Sequence, residues 1–178
     1  MDFDALNARK QATVVHDEET VEHAIAQAAV RIDLELRDSN PILMPVLQGG
    51  VYFAGRLLHL LDFPLQQATV HVSRYGGTTP GDLVWHARPT LSIAGRTVLV
   101  VDDVFDQGAT LAALVAELEE AHAERVVTAV LANKAVEKQT SYRPDFVALE
   151  CGPQYLFGCG MDVNGYWRNL AAIYALGE

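Results

Sequence analysis

Val98-Leu99-Val100-Val101-Asp102-Asp103-Val104-Phe105-Asp106-Gln107-Gly108-Ala109-Thr110-Leu111 is the stretch on which the fold class turns. It opens within an unbroken β-branched and apolar run from Thr97 to Val101, of the kind that a strand covered on both faces requires. Leu111, Leu114, Val115 and Leu118 then recur at the spacing of one helical face, so the order is strand, loop, helix. In an open parallel sheet, ligands bind beyond the carboxyl ends of the strands, where a helix N-terminus offers unpaired N–H groups and partial positive charge to a phosphate. Residues 107–110 are therefore expected to cradle a phosphate, Gly108 by letting the backbone come close and Thr110 by donating its hydroxyl. Asp102 and Asp103 ask for something else: two adjacent carboxylates at a strand tip repel each other and lose hydration, so polyol hydroxyls or a metal shell are their natural partners. Taken singly, the residues have plainer readings, with Asp102 ending a strand and Asp106 capping a helix. The ordered set is more specific than either, and neither GxxxxGK(S/T) nor GxGxxG occurs in the chain.

Working outward, Asp17-Glu18-Glu19 supplies a cap and acidic first-turn residues ahead of Val21, Ala24, Ile25, Ala28 and Ile32, which predicts an amphipathic helix ended by Asn40-Pro41. Pro41 to Leu47 reads as a buried parallel strand, broken by Gln48-Gly49-Gly50. A second helix follows, with Phe53, Leu57, Leu60 and Leu61 on one stripe, and stops near Asp62-Phe63-Pro64. Ala68 to Val72 is strand-like, and residues 73–82, rich in glycine and hydroxyl side chains, cannot bury a face and predict a long mobile loop. Arg125 to Leu131 is a further β-branched run, with shorter strands expected at Phe146 to Leu149 and Tyr155 to Phe157. Strands alternating with helices predict an α/β fold around a mainly parallel sheet, as a single domain over residues 1–178 with a small hood.

The net charge of -10 over 178 residues gives a surface that repels nucleic acid and anionic lipid. Arg9 and Lys10 form the longest basic cluster and are expected to be solvated charge in a frayed N-terminal segment. Cys151 and Cys159, with no CxxC pair, predict two buried reduced thiols, and the six scattered histidines read as surface or packing residues. No apolar run approaches the roughly eighteen residues of a membrane span, and the acidic start Met1-Asp2-Phe3-Asp4 is unlike a signal peptide, which predicts a cytoplasmic location.

The segment from Val98 to Leu111 resembles the phosphoribosyl pyrophosphate (PRPP) signature of type I phosphoribosyltransferases. Leu47-Gln48-Gly49-Gly50, Ser73-Arg74-Tyr75-Gly76, Lys134, Tyr142-Arg143-Pro144-Asp145-Phe146 and the block from Gly158 to Asn169 extend the resemblance to the hypoxanthine-guanine branch over nearly the whole chain. The fold implied is the type I phosphoribosyltransferase fold, a mainly parallel central sheet flanked by helices, with a small hood and a mobile lid loop. The implied activity is purine salvage, in which PRPP and an oxopurine base, hypoxanthine or guanine, give IMP or GMP and pyrophosphate with magnesium.

By that resemblance Asp102 and Asp103 hold the ribose hydroxyls and their magnesium shell, and Asp106, Gln107, Gly108, Ala109 and Thr110 cradle the 5′-phosphate. Asp106 exchanges a proton with purine N7, and Lys134 donates to the 6-oxo group. Tyr155 stacks on the base, main-chain groups of Leu156 and Asp162 meet its edge, the Asp162 carboxylate meets a second magnesium, and Arg168 reaches pyrophosphate. Gln48 and Gly49 belong to the pyrophosphate loop, where the family carries an unusual cis peptide, and Ser73, Arg74 and Tyr75 belong to the lid. Three positions depart from the pattern: Gln48 stands where lysine is common, Arg74 where serine is common, and Gln107 is a further variation. The implied reaction is displacement at the anomeric carbon without a covalent enzyme intermediate, by a homodimer or homotetramer that binds neither nucleic acid nor membrane. A xanthine-preferring or adenine-preferring relative is the alternative within enzymes, with Lys134 against adenine. A nucleotide-sensing RNA-binding regulator of the same fold is the alternative outside them, and the acidic chain weighs against it.

Overall fold

The computed structural model describes residues 3–74 and 83–177. In chain order the elements are α1 (Phe3–Gln11), β1 (Thr13–His16), α2 (Glu18–Leu36), β2 (Ile42–Leu47), α3 (Val51–Leu60), β3 (Gln66–Gln67), β4 (Val70–Arg74), β5 (Leu83–Ala87), β6 (Thr97–Phe105), α4 (Ala109–Glu120), β7 (Arg125–Lys134), β8 (Phe146–Cys151), β9 (Leu156–Phe157) and β10 (Ile173–Ala175). The larger sheet runs β5-β4-β2-β6-β7-β8, with β3 also on β2, and is parallel except for the antiparallel β4 and β5 pair.

Central strands that are apolar on both faces need cover on both sides, and the period-two alternation of their side chains decides which cover each residue meets. Leu43, Leu99, Val101, Val127, Ala129 and Leu131 share one core with the buried stripes of α2 and α3. Ile42, Met44, Val98, Val100 and Val130 share the other with Leu111, Leu114 and Leu118 of α4. Each fully buried aliphatic side chain contributes roughly 1.5–3 kcal/mol. Helix α2 starts where Asp17 accepts a hydrogen bond from the Thr20 amide at 2.9 Å, with Glu18 and Glu19 in its first turn. Strand β6 lies between β2 and β7, Val98 opposite Ile42 and Asp102 opposite Val130, so the loop that follows it opens beside the carboxyl end of β7.

A second, antiparallel sheet, β1-β10-β9, forms the hood. Neither α1, β1 nor β10 was expected from the sequence pattern. The Arg9 guanidinium in α1 stacks 4.0 Å from the Tyr174 ring centroid and donates to the Tyr174 hydroxyl at 3.0 Å, so Arg9 is docked on the hood and not frayed. Leu60 is 43% exposed, off the buried face of α3, which is formed by Phe53, Ala54 and Leu57. Strand β6 continues past Asp102-Asp103 to Phe105, and β7 continues to Lys134, which is its last residue. Ser73 and Arg74 are the end of β4; Tyr75 and the rest of the expected mobile lid, along with the Arg74 side chain, lie outside the described residues. Cys151 and Cys159 are free and buried, and burial pushes the Cys151 thiol up to about 11. Among the described residues, no helix is long and apolar enough to cross a membrane.

Candidate active site

The floor of the site is the end of β6. Asp103 is 9% exposed, and its amide donates to Asp102 Oδ1 at 2.9 Å. Burial pushes both carboxyls above the usual range, Asp102 well above it because the charge of Asp103 adds to the cost, while Arg168 pulls the other way on both. Gly49 lies directly against this pair: a Cβ there would collide with the Asp103 carboxylate. Gly160 of the hood abuts Gly49 in turn, since a Cβ at Gly160 would meet the Gly49 carbonyl oxygen. Two glycines thus let the loop after β2, the tip of β6 and the hood converge on one carboxylate. The peptide bond between Leu47 and Gln48 is cis, as the resemblance implied.

Beyond Phe105 the chain turns into α4. The N-cap is Gly108, with φ +83, and no side chain caps the helix, so the amides of its first turn are left to an external acceptor. Asp106 is therefore not the cap. Its Oδ2 lies 3.4 Å from the Lys134 Nζ at the end of β7.

These two groups face a cleft of about 200 Å³ lined by Asp103, Val104, Asp106, Lys134, Tyr155, Leu156, Met161 and Asp162. The Tyr155 hydroxyl donates to the Asp162 carbonyl at 3.0 Å, which fixes the ring on the hood side. The Asp162 carboxylate accepts from the Gly165 amide at 2.7 Å and pairs with Arg168 Nη2 at 2.6 Å. Arg168 Nη1 donates to the Gly160 carbonyl at 2.6 Å and stands 3.8 Å from Asp103 Oδ2, which leaves Nε buried without a partner among the described residues. One guanidinium thus ties the two acidic groups of the site together.

The cleft therefore collects six of the expected residues: Asp103, Asp106, Lys134, Tyr155, Leu156 and Asp162. Gly49 and Arg168 touch it through Asp103, and Asp102 and the 107–110 turn adjoin it along the chain. Gln48 is exposed beside Gly49, and its carbonyl accepts from the Val51 amide at 3.3 Å. Ser73 does not line the cleft; its hydroxyl is 2.7 Å from the His86 Nε2 on β5. Sequence reasoning missed Val104 and Met161 as lining residues. The alternation of β6 carried the first signal, since Val104 lies two residues beyond Asp102 on the same strand.

The donor set fits magnesium. Oxygen ligands suit a hard cation, and two neighbouring carboxylates whose charge is disfavoured by burial gain most from one. Among the described residues, no three His, Cys, Asp or Glu side chains make a full cage, so Asp102, Asp103 and Asp162 would supply only part of a shell. Magnesium is commonly held in this way, through one or two carboxylates completed by substrate phosphates and water.

Comparison with known proteins places this geometry in context. The family model described as phosphoribosyl transferase domain matches residues 11–164. The chain is 30% identical to the hypoxanthine-guanine-xanthine phosphoribosyltransferase of Tritrichomonas foetus, over 93% of this chain and 91% of that protein. It is also 30% identical to the hypoxanthine-guanine phosphoribosyltransferase of Streptococcus pneumoniae, over 97% of this chain and 96% of the relative. The structure of hypoxanthine phosphoribosyltransferase from Trypanosoma cruzi in complex with the product IMP superposes with a TM-score of 0.88 at 25% identity, covering 94% of this chain and 96% of the other.

Proposed function

The chain belongs to the phosphoribosyltransferase family, and from that premise we propose that it is a hypoxanthine-guanine phosphoribosyltransferase of purine salvage, one domain spanning residues 1–178. The observation that carries the choice of base is the juxtaposition of Asp106 and Lys134 at 3.4 Å across the mouth of the cleft. N7 and O6 are neighbouring atoms on one edge of an oxopurine. A carboxylate and an ammonium side by side meet that edge as proton acceptor and hydrogen-bond donor. Adenine would set its 6-amino group, a donor, against the ammonium, donor facing donor with no hydrogen bond between them, at a cost of about 1–3 kcal/mol.

The base would stack on Tyr155, with the main chain of Leu156 and Asp162 at its pyrimidine edge; stacking on such a ring contributes on the order of 1 kcal/mol or more. The Asp162 carbonyl already accepts from Tyr155, and its second lone pair remains for the base. The amides of residues 106–110 and the Thr110 hydroxyl would hold the 5′-phosphate, and Asp102 and Asp103 the ribose hydroxyls. Asp106 would take the N7 proton as the other ring nitrogen attacks the anomeric carbon, and Arg168 would turn its guanidinium to the leaving pyrophosphate beside Gln48 and Gly49. Ser73, Arg74 and Tyr75 would close over the reacting centre and exclude water. Bound magnesium, held by Asp102 and Asp103 with a second ion at Asp162, would neutralise charge developing on the pyrophosphate. The enzyme would work as a cytoplasmic homodimer or homotetramer, which light scattering on the purified protein measures.

Steady-state nucleotide formation from hypoxanthine, guanine, xanthine and adenine with PRPP and magnesium tests the proposal, with Asp106→Asn as control. Turnover of hypoxanthine or guanine, lost for the most part in Asp106→Asn, is the expected result. If folded protein binds PRPP but converts no purine, a nucleotide-sensing role takes its place.

A further inference from the structure

Lys138, in the loop after β7, spends its whole donor capacity on the main chain. Its Nζ donates to the carbonyls of Phe105 at 3.0 Å, Asp106 at 2.6 Å and Lys134 at 2.7 Å, and an ammonium has three protons to give. It also stands 4.7 Å over the Phe105 ring. The next residue continues the pattern, since the Gln139 amide donates to the Gln107 carbonyl at 2.9 Å. Thr140 closes it: a Cβ at Gly108 would meet both the Phe105 ring and, at 2.9 Å, the Thr140 methyl. Three consecutive carbonyls, those of residues 105, 106 and 107, are therefore held on the side of the 134–140 segment.

That has a stereochemical consequence. In a planar trans peptide the carbonyl and the following N–H point in opposite directions. Drawing the carbonyls of 105–107 toward Lys138 and Gln139 turns the amides of Asp106, Gln107 and Gly108 away from them. These amides belong to the turn that leads into the uncapped start of α4, where the 5′-phosphate is placed above. Burial makes Lys138 easier to deprotonate, while the Asp106 carboxylate favours its charge.

We propose that Lys138 is a positioning residue for the ribosyl-phosphate site, aiming the amides of residues 106–108 at the 5′-phosphate. It touches no reacting atom. The ammonium that binds the Lys134 carbonyl also binds the Asp106 carbonyl, so it ties the start of the phosphate turn to the end of β7. The inference rests on the salvage reading given above.

The test compares GMP with guanosine, which differ only in the 5′-phosphate, by isothermal titration against the wild type and Lys138→Met, Lys138→Gln and Lys138→Arg. Lys138→Met is expected to weaken GMP by about tenfold or more, the scale of a lost charge-assisted contact, with guanosine changed by less than about twofold. Lys138→Arg, which keeps the charge and several donors, is expected to recover most of the GMP affinity. Should Lys138→Met not fold, Lys138→Gln gives the same ratio with a polar side chain. A role confined to stability predicts a lower melting temperature with an unchanged GMP to guanosine ratio, and that result overturns the proposal, as does equal weakening of both ligands. Failure of the wild type to bind GMP at all sinks the salvage reading itself, a separate outcome.

Discussion

Gly49→Ala isolates a purely steric requirement. Gly49 is not among the residues with positive φ, so the backbone there accepts an L side chain, and the whole penalty comes from space. The added methyl would overlap Asp103 Oδ2 and come within 2.8 Å of Oδ1. Retreat is blocked on the other side, where the Gly49 carbonyl already rests against Gly160. Forced overpacking of this kind costs about 1–3 kcal/mol. At about 2–4 °C per kcal/mol for a protein of this size, the melting temperature should fall by some 2–12 °C. Calorimetry on wild type, Gly49→Ala, Asp103→Ala and the double variant measures it, because Asp103→Ala removes the atoms that the methyl meets. In that background Gly49→Ala should cost almost nothing, giving a coupling energy of about 1–3 kcal/mol. Additive effects, with the same loss in both backgrounds, would refute the contact as the cause.

Lys134→Met should lower kcat/KM for hypoxanthine by on the order of a hundredfold while adenine, no longer facing an ammonium, loses far less, as steady-state assays with both bases will read. Thr128 is fully buried, its hydroxyl within 2.9 Å of the Tyr142 hydroxyl, donating to Asp145 Oδ2 at 3.0 Å and accepting from the Asp145 amide at 3.2 Å, so Thr128→Val should cost about 1–3 kcal/mol in urea denaturation by taking this partner from the Tyr142 hydroxyl and the Asp145 amide. For Cys151 the folded thiol titrates near 11, above its ordinary value of 9.0, so the unfolded chain ionises first. The stability it contributes is fully present below about pH 9 and is lost as pH rises toward 11, at up to about 1.4 kcal/mol per pH unit. Cys151→Ala should accordingly show a shallower decline in melting temperature across that window.

The layers were legible because local pattern and tertiary demand agree. The buried runs of β2, β6 and β7 need cover on both faces, and the stripes Val21 to Ile32 and Leu111 to Leu118 supply it. The acidic tip and the glycine turn could be placed from one continuous segment, since strand, loop and helix follow one another in sequence. Residues that depend on partners far along the chain were harder to read. α1 has no apolar stripe, and its place is set by contacts such as Arg9 on Tyr174 and the Trp167 indole donating to the Ala5 carbonyl. Lys138 reads as an ordinary surface lysine until the fold brings the Phe105 and Asp106 carbonyls to it. Leu60 fits a helical stripe on paper, yet α3 ends there and the neighbouring Leu61 is the one turned inward.

The hood sheet joins residues 13–16 to 173–175, and through β10 it holds the β9 strand beside Tyr155. Contacts so distant in sequence form late, because the intervening chain must be closed into a loop before they reward it. The sheet strands β2 to β8 and the turn at Gly108 all precede Ile173, whereas β10 comes off the ribosome after them. At about 5–20 residues per second, a growing chain has extruded the Gly108 turn and Lys134 seconds before β10 can close the hood over the cleft. For those seconds the floor of the cleft, with Asp103, Asp106 and Lys134, is made but has no hood over it.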